Sequence, residues 1–466
     1  MKVYKFGGSS IRDAEAMKRV AGIVRKRAEA GSVVVLSALG GVTDRLIALY
    51  EQALERREKL WRDGLKDLKD RHWLILSRLV TDEALRRDAE RFIEKGFHEL
   101  EAVLSVSASI GVQNDVLYNK IVGSGELFAS RIFAAVLAHV GCLAQWIDIR
   151  PLMRVTRKEG MTQPDKNHLR QHAQQAFGGE NKGVIWITQG FIATDAGGAP
   201  ATLGRDGSDY TAALLGDALD AEEIQIWTDV DGILSADPGI VNEAWPLQSM
   251  TFDEACELAY FGARVLHPAT IQPAMQRGIP VRVLNSRKPS EKGTLITPHN
   301  GKTKPVSDLR SIAYKEDITL LTIESEHLLF SPRLLEKVFD ILSRHGKGVY
   351  AVNKTATRLS LTLQNGRPGD GYIRALESFG RVRHETGKAV VCVVGEGIKG
   401  DLRLGREIIA YVQEEGINIE WFTQFQGQIS MTFIIDEQNI SATVRLLHDR
   451  YMASPVYSQS AGKAHD

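Results

Sequence analysis

Cysteine is scarce: Cys142, Cys256 and Cys392 are the three in 466 residues. They lie far apart, with no CxxC pair and no zinc-like spacing. They read as buried thiols in a reducing compartment. A charge excess is missing as well, since 58 Lys+Arg stand against 58 Asp+Glu. Nucleic-acid binders usually carry a basic surplus, so no nucleic-acid partner is expected. Long apolar runs are also lacking. The most membrane-like stretch, 129–147, is broken by Arg131 and His139, and a span needs roughly 20 largely apolar residues. No signal-peptide core precedes the strand-like start Met1-Lys2-Val3-Tyr4-Lys5-Phe6. The expectation is a cytoplasmic protein without a membrane partner.

What is present suits a packed interior. Hydrophobic residues make up 43% and charged residues 25%, close to ordinary globular usage, and the length suggests about three domains. Short β-branched runs at 3–6 and 33–36 flank a helical spacing at 17–30. Such alternation predicts an α/β fold with a mainly parallel sheet covered by helices. A charged, helix-favouring segment follows at 43–101, and strand signals return at 184–188, 224–228 and 281–284. The stretch 289–304, with Pro289, Gly293, Pro298 and Gly301, reads as a linker.

Beyond it the pattern repeats. Strand 320–323, helix 332–344, strands 349–352 and 359–363 and helix 372–379 are followed by strand 390–394, helix 402–415, strands 417–421 and 429–435 and helix 440–451. Matching positions lie 390 − 320 = 70 residues apart. Two units of this kind predict two small ferredoxin-like modules.

Several loops carry candidate chemistry. In Lys5-Phe6-Gly7-Gly8-Ser9-Ser10 a strand ends in a lysine and opens into glycines before a helix. Glycines let backbone N–H groups approach an anion, and a helix N-terminus favours negative charge. The bland alternative is a strand–turn–helix with Ser10 as N-cap. Leu203-Gly204-Arg205-Asp206-Gly207-Ser208-Asp209-Tyr210 precedes a helix expected at 211–217. Arg205 there suits a carboxylate or phosphate, while Asp209 has a capping alternative. Trp227-Thr228-Asp229-Val230-Asp231-Gly232 ends a strand, where ligands of open α/β sheets gather, although Asp231-Gly232 alone is a turn signal. Phe261-Gly262-Ala263-Arg264-Val265-Leu266-His267-Pro268 adds a cation, with His267 read as a structural turn residue. Thr43 and Glu126 sit at helix starts, with capping or dipole alternatives.

One decoy needs weighing. Gly395-Glu396-Gly397-Ile398-Lys399-Gly400 fits the dinucleotide pattern GxGxxG. Only 66 residues follow Gly400, too few for the rest of a doubly wound domain, so the loop is assigned to the repeat. No Walker A loop is present, because Ile296 stands where its leading glycine would be.

In their order along 1–300, these segments, with Gly125-Glu126-Leu127 and Thr188-Gln189-Gly190-Phe191, resemble the aspartate kinases of the amino-acid kinase family. The resemblance implies a three-layer αβα amino-acid-kinase sandwich at 1–300. Two ferredoxin-like (βαββαβ) ACT domains would follow at 308–386 and 387–466. It implies phosphorylation of the side-chain carboxylate of L-aspartate by ATP with Mg2+, the entry to lysine, threonine and methionine synthesis. It also implies an allosteric amino acid at the ACT domains and a homodimer or higher homo-oligomer.

By the same resemblance Lys5 and Arg264 flank the transferred phosphoryl group, and Asp209 positions the lysine. The nucleotide side would comprise Phe6, Gly7, Gly8, Thr228, Asp229, Asp231, Leu234 and Gly239 besides Lys5 and Arg264. Arg205 would hold the α-carboxylate of the substrate and Glu126 its ammonium, with Ser37, Thr43, Phe191 and Ser208 nearby. No side chain is assigned as a metal ligand. Three positions depart from the family pattern: Arg264 replaces Lys, Leu234 a common Tyr, and Gly239 an Arg. A non-catalytic, amino-acid-sensing relative is the rival reading. The acidic positions of lysine-inhibited members fall on Tyr350 and Ala356, with Lys354 and Arg358 close by, so lysine is expected to be a poor effector.

Overall fold

A computed structural model describes residues 1–158, 161–178, 183–204, 206–262, 266–298, 309–325, 332–364, 370–399 and 401–452. The chain divides into two compact units. The first comprises Met1–Ile233, Pro246–Phe252 and Val265–Asn300, and the second Leu234–Trp245, Asp253–Arg264 and Gly301–Asp466.

The first unit is built on an eight-stranded sheet. Its strand order is Ser249–Thr251, Thr294–Thr297, Val281–Asn285, Glu223–Thr228, Lys2–Phe6, Val33–Leu36, Ile185–Gln189 and Ala144–Trp146. Every neighbouring pair is parallel except Val281–Asn285 with Thr294–Thr297. Central strands buried on both faces read as continuous apolar runs, and Val33–Leu36 is fully buried. Tyr4, Phe6, Val34, Leu36, Ile185 and Ile187 share one core with the helices between Ala14 and His139. The opposite face carries Gly207–Ala218, which packs on the central strands and on Lys166–Phe177 and Pro268–Arg277. Helix, sheet and helix layers result, as the resemblance implies.

Local rules account for the helices. Ala14–Arg27 buries Met17, Val20, Ala21 and Val24 at helical spacing and is capped by Asp13, whose side chain accepts from the Ala16 N–H. The segment at 43–101 resolves into Val42–Leu54, Glu58–Leu79 and Glu83–Ile110. Asp115–His139 is long and apolar enough to cross a membrane, but most of its apolar window is buried within the protein. The linker expected at 289–304 is corrected in part: Thr294–Thr297 is a sheet strand. Gly293 allows it at φ +60°, where an added Cβ would lie 1.9 Å from the Val283 carbonyl oxygen.

The second unit holds a six-stranded antiparallel sheet. Its order is Val349–Lys354, Arg358–Gln364, Ser311–Glu324, Arg381–Val394, Ser430–Asp436 and Trp421–Thr423. Two apolar cores divide it. One gathers Leu321, Val338, Leu361 and Leu376, the other Val391, Ile408, Phe433 and Val444, in keeping with two modules. Both central strands are 14 residues long and run through both modules. Ser311–Lys315 ladders onto Val390–Val394, whereas Ile318–Glu324 pairs with Arg358–Gln364. The module expected at 387–466 is thus completed by a strand segment, 311–315, from within the module expected at 308–386.

Residues 234–245 belong to this unit too. Ala236, Ile240 and Val241 join its second core, and Arg445 Nε donates to the Ile240 carbonyl at 2.8 Å. The GxGxxG decoy is settled by topology. Its strand, Arg381–Val394, is antiparallel to both neighbours, so no βαβ unit exists there to hold a dinucleotide.

Candidate functional site

Four adjacent parallel strands of the first unit end together: Glu223–Thr228, Lys2–Phe6, Val33–Leu36 and Ile185–Gln189. The loops leaving them interlock through backbone hydrogen bonds. Gly7 N–H donates to the Trp227 carbonyl (3.2 Å), Ser37 N–H to the Phe6 carbonyl (3.2 Å) and Gly190 N–H to the Leu36 carbonyl (2.8 Å). Ligands of open α/β sheets collect at such carboxyl ends.

Lys5 alternates onto the face opposite Tyr4 and Phe6, and its ammonium meets the Asp209 carboxylate at 2.8 Å. Both side chains are nearly buried, at 10% and 13% exposure. Helix Gly207–Ala218 begins four residues before the expected 211, so Asp209 lies in its first turn. Its N-cap is Asp206. Asp209 is therefore a lysine partner and not a cap. Ser10 is no cap either, because Asp13 has that role. The Ser10 hydroxyl donates to Ser286 Oγ at 2.8 Å, and Ser286 in turn donates to the Thr228 carbonyl. Phe6, expected at the nucleotide, keeps its side chain wholly in the core, stacked on Trp227. The Gly7 N–H is likewise engaged by Trp227. Gly8 remains the closest-approach position: an added Cβ would stand 2.9 Å from the Ala38 carbonyl oxygen.

The loop after Val33–Leu36 carries Ser37, leads into the first turn of Val42–Leu54 with Thr43, and touches Glu126. A Cβ on Gly125 would come within 2.8 Å of the Ala38 side chain. Glu126 is 3% exposed. Burial pushes its carboxyl up to about 8, although the Glu126 and Ala38 backbone N–H groups hydrogen-bond it. Its Oε2 has no partner. A buried carboxylate with a vacant acceptor is a receptor for a cation.

The third loop brings Phe191 and Ser208 together. Gly190 permits it, since a Cβ there would lie 2.5 Å from the Ser208 Cβ. The fourth holds Thr228 and Asp229. Asp231 beyond it is held by Lys288 at 2.7 Å and by Asn285 at 2.5 Å. These bonds, that from Lys288 foremost, lower its pKa. Leu234 and Gly239 lie in the second unit, where the Leu234 carbonyl accepts from Ser311 Oγ and the Gly239 N–H donates to Asp237. Arg205 and Arg264 fall outside the described residues. His267 is the N-cap expected of a structural turn residue, accepting from the Ala269 N–H.

Sequence reasoning missed Thr211 and Arg71. Thr211 Oγ1 accepts from the Phe191 N–H. Arg71 Nη2 donates to the Arg12 carbonyl (2.7 Å) and the Gly40 carbonyl (2.8 Å), linking the first two loops. A mid-helix threonine and a mid-helix arginine carry no signal of such reach. In the second unit, Arg358 is paired with Glu324 at 2.7 Å. Its charge is thereby offset, and the case against a cationic effector rests on Tyr350, Lys354 and Ala356.

A model of the amino acid kinase family matches residues 1–285. The chain belongs to the amino acid kinase family. An ACT domain model matches residues 391–451 of this amino acid kinase. Lysine-sensitive aspartokinase 3 of Escherichia coli (strain K12) is 36% identical over 96% of this chain and 98% of its own. Aspartokinase 1, chloroplastic, of Arabidopsis thaliana is 33% identical over 97% of this chain and 80% of its own. Among solved structures, E. coli aspartokinase III with lysine and aspartate (T-state) aligns with a TM-score of 0.81 at 34% identity, covering 97% of this amino acid kinase and 100% of that chain. The same enzyme with aspartate and ADP (R-state) gives 0.79 at 34% identity, covering 96% and 99%.

Proposed function

We propose that this amino acid kinase is an aspartate kinase, transferring the γ-phosphoryl group of ATP to the side-chain carboxylate of L-aspartate. The products are 4-phospho-L-aspartate and ADP. One arrangement carries the reading. A lysine held by Asp209 and a buried carboxylate with a vacant oxygen are joined through the Gly8–Ala38–Gly125 contacts. The first suits a phosphoryl group, the second an ammonium. A relative solved with aspartate and ADP supports a site for those two ligands.

The chemistry follows from charge. A carboxylate oxygen of the substrate attacks the γ-phosphorus in line, the acyl–phosphate bond forms, and the bond to the ADP oxygen breaks. The nucleophile is ionised at pH 7, so no general base is required. The barrier lies in bringing two anions together and stabilising charge on the transferred group. Lys5 supplies that charge, and Asp209 fixes where it points. Arg264 would flank the group from the other side, Arg205 would hold the α-carboxylate, and Glu126 the ammonium. Mg2+ would be carried by the nucleotide's own phosphates, with one or two carboxylates at most. The metal would neutralise phosphate charge.

The catalytic reading is favoured over a sensing-only relative, because a non-catalytic protein has no use for a buried Lys5–Asp209 pair. We place the catalytic domain at 1–300 and the ACT pair at 308–466, the whole acting in the cytoplasm at the entry to lysine, threonine and methionine synthesis. The decisive experiment is ADP release coupled to L-aspartate, with hydroxylamine trapping the acyl phosphate. ADP release indifferent to aspartate, with no hydroxamate formed, would refute it.

A further inference from the structure

We infer that Thr211 is a positioning residue for the aspartate-binding wall. Its hydroxyl holds Phe191 in a left-handed backbone and so fixes that wall to the helix carrying Asp209. The inference rests on the function proposed above and names a residue that acts within that site.

Phe191 has φ +69°, a region that residues with a β-carbon adopt rarely and at a cost in strain. Such strain persists only where the surroundings over-determine it. Three contacts do so here. The Phe191 N–H donates to Thr211 Oγ1 at 3.0 Å. The Phe191 carbonyl accepts from the Leu203 N–H at 2.8 Å. Gly207 leaves room for the residue, since a Cβ there would lie 2.9 Å from Phe191 Cδ2 and 3.2 Å from its Cα.

The hydroxyl's geometry is specific. A helical threonine commonly returns its proton to the carbonyl four residues back, and Thr211 does so, donating to Gly207 at 2.8 Å. That leaves its lone pair for a residue twenty positions earlier in the chain. Thr211 is fully buried, so water cannot substitute for it. The helical turn it closes also presents Ser208 to Gly190 and Asp209 to Lys5. One side chain therefore ties the strained Phe191 loop to the turn that aims the catalytic lysine.

Two substitutions separate the hydroxyl from the methyl. Thr211→Val keeps the shape and removes the acceptor, while Thr211→Ser keeps the acceptor. Steady-state kinetics with each substrate varied, and thermal shifts on adding L-aspartate or ADP, give the readouts. Leaving the part-buried Phe191 N–H without its acceptor in Thr211→Val is expected to raise the aspartate KM by about tenfold or more, with the ATP KM changed by about twofold at most. Thr211→Ser is expected to stay within about threefold of wild type on both. Equal losses in Val and Ser variants, equal losses for ATP and aspartate, or unchanged kinetics in Thr211→Val would each overturn the inference.

If Thr211→Val does not fold, Phe191→Gly/Thr211→Val decides. Glycine accepts φ +69° without strain, so the double variant is expected to fold, and its failure to fold overturns the inference. A wild-type protein that makes no acyl phosphate refutes the proposed function instead. An active wild type with an indifferent Thr211→Val refutes only this inference.

Discussion

Replacing Glu126 by Gln is expected to stabilise the ligand-free protein while abolishing its response to L-aspartate. The carboxyl is pushed from 4.5 to about 8 by burial. Between those values the unfolded chain has released the proton and the folded one still holds it. Bound protons are then fewer in the unfolded state, so stability falls as pH rises from 4.5 to 8 and levels off above. At pH 7 the gap is about 2.5 units, or roughly 3 kcal/mol at 1.36 kcal/mol per unit. Glutamine carries no such penalty, and its amide resembles the protonated acid. The variant should match wild type near pH 4.5, exceed it by about 3 kcal/mol at pH 7, and gain little more beyond pH 8. An ammonium ligand reverses the balance by ionising Glu126. At pH 7 about nine-tenths of a proton should then leave on aspartate binding. Urea unfolding at pH 5, 6, 7 and 8, with and without L-aspartate, measures the first effect. Calorimetry in buffers of different ionisation enthalpy measures the second. A variant less stable than wild type at pH 8, or a difference flat across the range, would refute the reasoning.

Other outcomes follow from the same structure. Lys5→Ala should lower kcat by about 10²–10³, the usual loss for one charge stabiliser, while circular dichroism shows an intact fold. His72 is fully buried among Phe97 and Phe128, and burial lowers its pKa to about 4. The unfolded chain takes up that proton first, so stability is lost as pH falls from 6.5 towards 4. His72→Leu should flatten that part of an acid-unfolding curve. L-lysine should inhibit poorly, because Tyr350 and Ala356 offer no carboxylate to a cation; titration of each aspartate-family amino acid into the kinase assay checks this, and half-inhibition by sub-millimolar lysine alone would refute it. The strands Val349–Lys354 and Trp421–Thr423 end the second sheet, with Val352, Phe422 and Phe425 exposed. Edges of this kind need covering, so light scattering should show a dimer or larger.

Much of the fold was legible because its determinants are local. The run Val33–Leu36 and the lysine-to-glycine step at Lys5-Phe6-Gly7-Gly8 carry their meaning within ten residues. The 70-residue repeat announced two modules. What escaped detection depends on distant partners. Lys315 and His384-Glu385 fall outside the strands expected at 320–323 and 390–394, yet they lie inside the 14-residue strands, because Lys315 ladders onto Val390, Glu385 onto Leu320 and His384 onto Leu321. Helix Gly207–Ala218 starts earlier than expected because Gly207 and Ser208 are poor helix formers, retained there by contacts with Phe191 and Gly190. Glu126 was visible as a carboxylate after Gly125, but its lack of a partner for Oε2 was not. Where the Phe6 ring goes was not legible either, because the motif marks a backbone path, while the ring follows strand alternation into the core.

The placement of residues 234–245 also bears on synthesis. Ile240 waits for Arg445, 205 residues further along the chain, and its apolar neighbours Ala236 and Val241 wait for the same closing helix. At roughly 5–20 residues per second, a ribosome needs about 10–40 s to deliver that helix. Throughout that interval the strands of the first unit up to Glu223–Thr228 have already emerged, with an unfinished greasy loop hanging from them. A nascent chain stalled before residue 440 should therefore be held by chaperones and be cut by proteases within 234–245, where the finished protein buries Ala236, Ile240 and Val241.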